Sequence, residues 1–86
     1  MGQQVKTLRR ILGGMADKNI AFRDLRKLLK QLEFIERIKG DHYIFSKDGV
    51  DEILNLQPKG AKAKPYQVKQ VRNLILKYGM GELDNE

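Results

Sequence analysis

Cysteine and tryptophan are absent from this chain, histidine occurs once, and proline occurs twice in 86 residues. Without cysteine there is no disulfide framework, no thiol nucleophile and no cysteine-ligated zinc. That usage fits a reducing compartment, and the expected location is the cytoplasm. Apolar runs reach only a few residues, which excludes a membrane-spanning helix. The start, Met1 to Lys6, lacks the apolar stretch of a secretory signal, and Lys6 stands where an N-myristoylation motif requires Ser or Thr. No phosphate-cradling P-loop or dinucleotide fingerprint is present, and Gly13-Gly14 reads as a helix stop. One histidine and scattered acids offer no metal-ligand spacing, so neither metal nor cofactor is expected.

Acidic residues are also missing from one long stretch. Residues 53–81 carry Lys59, Lys62, Lys64, Lys69, Arg72 and Lys77 against no acid, whereas residues 1–52 hold eleven basic and eight acidic groups. Glu82, Asp84 and Glu86 then make an acidic end, and the net charge is +6. A one-sign block on a folded domain attracts polyanions, nucleic acid above all. The length suits one small domain with a single core.

Hydrophobic spacing predicts a short helix over Gln4–Leu12, from Val5, Leu8, Ile11 and Leu12. A connector over Met15–Asn19 follows. A second helix is predicted from Phe22 to Glu33, with Phe22, Leu25, Leu28, Leu29 and Leu32 on its apolar face. Arg23, Arg26, Lys27 and Lys30 lie on the other, a face suited to a phosphate backbone or simply to water. Three strand-like segments come next: Phe34–Lys39, His42–Ser46 and Ile53–Gln57. Turns at Gly40-Asp41 and Lys47-Asp48-Gly49 separate them, with Val50-Asp51-Glu52 read as part of the second connection. Pro58–Lys64 reads as a loop. Pro65 suits the first turn of a last helix, which Gly79 closes. A three-stranded meander needs its apolar face covered, and two amphipathic helices on one face would do so. The expected fold is α+β: a dsRBD-like α-β-β-β-α domain over residues 22–79, an extra N-terminal helical extension over 1–21, and a flexible acidic tail over 80–86.

His42 is the first candidate for chemistry. An imidazole titrates near neutral pH and can accept or give a proton. RNA supplies its own nucleophile, the 2′-hydroxyl, so a general base plus phosphate-binding cations suffices for metal-independent cleavage. A lone strand histidine can equally be structural. Lys39, Lys59, Lys62 and Lys64 are the candidate phosphate contacts, and Gly40 and Asp41 form the turn that positions the histidine. Asp41 could hydrogen-bond the imidazole or serve only the turn. Tyr43 points to the opposite face from His42, as a packing or RNA-stacking residue, and Phe45 reads as core. Asn55 and Gln57 are candidates for reading base edges.

Several segments resemble the HicA toxins. The run Leu25-Arg26-Lys27-Leu28-Leu29-Lys30-Gln31-Leu32-Glu33-Phe34 is similar to their first helix and its Leu-Gly-Phe-like turn. Gly40-Asp41-His42-Tyr43-Ile44-Phe45 is similar to their Gly-Ser-His core. Pro58-Lys59-Gly60, Pro65-Tyr66-Gln67-Val68 and Arg72-Asn73-Leu74-Ile75-Leu76 resemble their C-terminal loop and helix. The resemblance runs in order from Phe22 to Gly79. It implies a small ribonuclease toxin that cleaves mRNA, with its catalytic histidine at His42 and its turn glycine at Gly40. It also implies a HicB-like antitoxin that shields the histidine; the free toxin is expected to be a monomer. Asp41 replaces the family's Ser, and Glu33 replaces the glycine before Phe34. Two other readings stand beside it: a non-catalytic RNA-binding module of the same fold, and an interaction domain for an acidic protein.

Overall fold

The computed structural model describes residues 2–82. Helix α1 (Gln3–Gly13) leads through a 3-10 turn (Asp17–Asn19) into α2 (Phe22–Gln31). Strands β1 (Ile35–Lys39), β2 (His42–Lys47) and β3 (Val50–Leu56) form an antiparallel meander in the order β1-β2-β3. A small hairpin, β4 (Pro58–Lys59) and β5 (Lys62–Ala63), precedes α3 (Pro65–Lys77). The architecture is α+β, with three helices and a three-stranded antiparallel sheet, as the hydrophobic periods predict.

Alternation along the strands sorts side chains onto two faces. Phe45, Leu54 and Leu56 point inward and are fully buried against Leu25, Leu28 and Leu29 of α2 and Val68, Val71 and Ile75 of α3. Helix α1 packs on α2 and α3 and adds Leu8 and Ile11 to the same core, so the N-terminal helix shares the domain's interior. Arg72 ties this layer together: its Nη1 donates to Ile11 O (3.1 Å) and to Asp17 Oδ1 (2.9 Å). Met80 also packs on the core, while Asp84 and Glu86 of the expected tail lie outside the described residues.

Two expectations are corrected. Val50-Asp51-Glu52 belongs to β3, because Lys47 pairs with Val50 directly across the Asp48-Gly49 turn; an irregularity between Phe45 and Lys47 absorbs the extra residues. Pro58–Lys64 is a hairpin rather than a loop. Its backbone groups find partners in the segment before α2: Phe22 N donates to Ala61 O and Ala63 N to Ile20 O, both at 2.9 Å. Two-residue strands leave no periodic signal to read.

Helices α2 and α3 end in the same Schellman turn. In α3, Gly79 takes the left-handed position (φ 66°) and Met80 N donates to Ile75 O (2.9 Å). In α2 the same place is held by Glu33 (φ 72°), with Phe34 N donating to Leu29 O (2.9 Å). A side chain there costs roughly 1–2 kcal/mol, and glycine's greater freedom when unfolded returns about 0.4–1 of that. Glu33→Gly is therefore expected to stabilise the domain by about 0.5–1 kcal/mol in urea melts. An unchanged midpoint would show that Glu33 carries no strain.

Glu52 joins β3 to α3. Lys77 Nζ lies 2.7 Å from its carboxylate and the Tyr78 hydroxyl donates to it. Those two hydrogen bonds, Lys77's first, pull the carboxyl down from 4.5 to about 2. A depressed carboxylate favours the fold above its unfolded range, and that contribution disappears as pH falls through about 2. Carboxyl NMR should show Glu52 titrating near 2, and Lys77→Met should move the midpoint up toward 4.5. An unmoved midpoint would deny Lys77 its role.

Candidate nucleic-acid interface

The turn between β1 and β2 sets the site. Lys39 pairs with His42, so only Gly40 and Asp41 bridge the strands. Gly40 has φ 63°, while Asp41 has no positive φ, the pattern of a type II′ turn, which asks for glycine at its first central position. Lys39 and His42 are direct cross-strand partners and therefore stand side by side on the outer face, away from the helices.

His42 is 47 % exposed. Its Nδ1 lies 3.0 Å from Oδ1 of Asn55 on β3. An amide oxygen only accepts, so Nδ1 carries the proton and Nε2 keeps its lone pair toward solvent. Asn55 thus orients the imidazole through its amide oxygen. Gln57 is likewise occupied: its Nε2 donates to Asp41 Oδ2 (3.1 Å). Gln57 is fixed in turn by the buried Gln67, whose amide nitrogen donates to Gln57 O (2.9 Å) and whose oxygen accepts from Gln57 N (3.0 Å). Asp41 does not hydrogen-bond the ring. Its Oδ1 stands 3.9 Å from Nε2, on the side of the free lone pair.

The cations divide into two sets. Arg26 and Lys30 converge on Glu36, whose side chain is only 8 % exposed, with contacts of 2.7 and 2.9 Å. The Arg26 hydrogen bonds, and then those of Lys30, hold the Glu36 carboxyl below its ordinary value despite its burial. Arg72 and Lys77 are tied to Asp17 and Glu52. Lys62 Nζ donates to Asn19 Oδ1 (3.1 Å), which fastens the hairpin to the helical layer. Among the described residues, Lys39, Lys59, Lys64 and Lys69 make no ion pair, and neither do Arg23 and Lys27 on α2. Lys39, directly across from His42, and the exposed Arg37, two residues earlier on β1 and paired with Ile44, are the cations on the same sheet face. Lys59, Lys62 and Lys64 belong to the hairpin and the start of α3, and the hairpin docks against Ala21 and Phe22 on the helix side of the sheet.

The His42 face also carries an apolar row. Ile44 is flanked diagonally by Ile35 and Ile53, which are 62 % and 63 % exposed. Among the described residues no group of His, Asp and Glu side chains is arranged to hold a metal ion, and no helix is long and apolar enough to cross a membrane. Compared with family models, with curated proteins and with solved structures, the chain matches none.

Proposed function

We propose that this chain is a HicA-like ribonuclease toxin of dsRBD-like fold, cutting mRNA with His42 as the general base. The observation that carries the reading is the oriented imidazole, with Nδ1 held by Asn55 and Nε2 open to solvent beside the uncommitted Lys39. In the proposed step Nε2 takes the proton of an RNA 2′-hydroxyl. The 2′-oxygen bonds to the adjacent phosphorus as the bond to the 5′-oxygen breaks. A 2′,3′-cyclic phosphate and a 5′-hydroxyl result, the latter protonated by a lysine or by water. Lys39 offsets the charge that develops on the phosphate oxygens. The α-β-β-β-α order of α2, the sheet and α3 supports the fold assignment. The exposed isoleucine row beside His42 supports a protein partner, the HicB-like antitoxin, whose docking would cover the histidine.

A second reading has its own observation. The Asp41 carboxylate, 3.9 Å from Nε2, repels a phosphate brought to that nitrogen. On that reading the chain binds RNA without cutting it. Incubating the purified protein with end-labelled mRNA in EDTA separates the two. Products ending in cyclic phosphate support the ribonuclease, whereas intact RNA retained in a low-salt shift assay supports the binding module.

A further inference from the structure

On the helix side of the sheet, a cleft of about 430 Å³ opens between the start of α2, Tyr43 of β2 and the β4–β5 hairpin. That volume lies within the range of ligand pockets. Its walls are flat rings: Phe22 meets Tyr43 edge-on with centroids 4.9 Å apart, and Pro58 and the bare backbone of Gly60 form the far side. The Arg26 guanidinium lies over the Tyr43 ring, 4.7 Å from its centroid. Arg26 is locked there because Nε and Nη2 both donate to Glu36, at 2.7 and 3.0 Å. Its Nη1 has no hydrogen-bond partner among the described residues and keeps its two donors. Arg23 lines the cleft as a second cation, uncommitted, and no acidic residue lines it.

The geometry points to a binding site for one unpaired nucleobase of the RNA, with the neighbouring phosphate on Arg23. A slot walled by aromatic, guanidinium and proline surfaces suits a planar ring. The free Nη1 donors suit the acceptor atoms on a base edge, and the cations suit the phosphate. Position supplies the link to chemistry. Tyr43 and His42 are consecutive at the head of β2 and point to opposite faces. A strand rounding the Gly40-Asp41 turn would leave one base in the cleft and bring a nearby phosphodiester to Nε2. Drawing that base out of the helical stack frees the nucleotide for in-line attack, a positioning effect. The site therefore selects single-stranded RNA.

This inference rests on the RNA reading above, and its test is separable from that reading. In a His42→Ala background, affinity for a labelled single-stranded oligoribonucleotide is compared with that for a blunt duplex of the same sequence. Two exposed cleft positions are varied, Arg23→Ala to remove the phosphate contact and Ala61→Leu to fill the slot. Ala61 contributes its backbone oxygen to the fold, so thermal melts should not move. Ala61→Leu should lose about tenfold in single-strand affinity, the size of one base contact, with duplex affinity unchanged, and Arg23→Ala should weaken single-strand binding and flatten its salt dependence. A 5-iodouridine oligonucleotide should crosslink to Tyr43. Single-strand binding at parental strength in both variants, no binding by the parent, or a crosslink elsewhere would overturn the site. Cleavage by the wild-type protein with unaffected cleft variants would sink the cleft and leave the ribonuclease. Loss of binding in the variants without any cleavage would do the reverse.

Discussion

Replacing His42 by alanine should slow RNA cleavage by about a hundredfold to ten-thousandfold, the range that general acid–base catalysis supplies. The fold should not notice. The ring is 47 % exposed, sits at the end of a strand, and its side-chain hydrogen bond among the described residues is to Asn55, itself exposed. Substitutions at such positions change stability by about 0.5 kcal/mol or less. The comparison is made in EDTA, with far-UV circular dichroism and a melt for both proteins. Equal cleavage by wild type and variant, after equal purification, would remove the histidine from the mechanism. Growth arrest on expression should vanish with cleavage, since on this reading the toxicity is the cleavage.

Much of this site can be read in the sequence, and the reasons are local. Gly40 needs a positive φ, the β-forming run starts at His42, and together they place the histidine at the head of a strand beside Lys39. Asn55 is not legible in that way. Its approach to His42 depends on the register between β2 and β3, which the irregularity after Phe45 shifts. A strand beginning at Val50 instead of Ile53 is the same ambiguity seen from the other side. The lysine block misleads for a different reason. Composition counts charges, but it does not say which are already spent on Asp17, Glu52 or Asn19. One signal was available. Glu36 falls in the inward phase of β1, two residues after the buried Phe34, and an inward carboxylate demands cations. Arg26 and Lys30, four apart on α2, are the pair that one helical face can offer.

On the ribonuclease reading, Asp41 sets how strongly the site cleaves. A unit charge about 4 Å from another is worth about 1 kcal/mol in water and about 4 kcal/mol at an effective dielectric of 20. Asp41 is 74 % exposed, so the lower figure applies, equivalent to about a fivefold effect on the encounter of phosphate with Nε2. Asp41→Asn isolates the charge, because an amide oxygen can still accept the hydrogen bond from Gln57 that fixes the turn. Asp41→Ser installs the residue that HicA toxins carry. Both should raise kcat/KM for RNA by about fivefold at low salt, and the gain should shrink as ionic strength rises. A gain in Ser but not in Asn would transfer the effect from charge to the serine hydroxyl. No gain in either, at any salt, would mean that the carboxylate faces away from the bound phosphate. The Nε2 side of the ring would then not be the side that meets RNA.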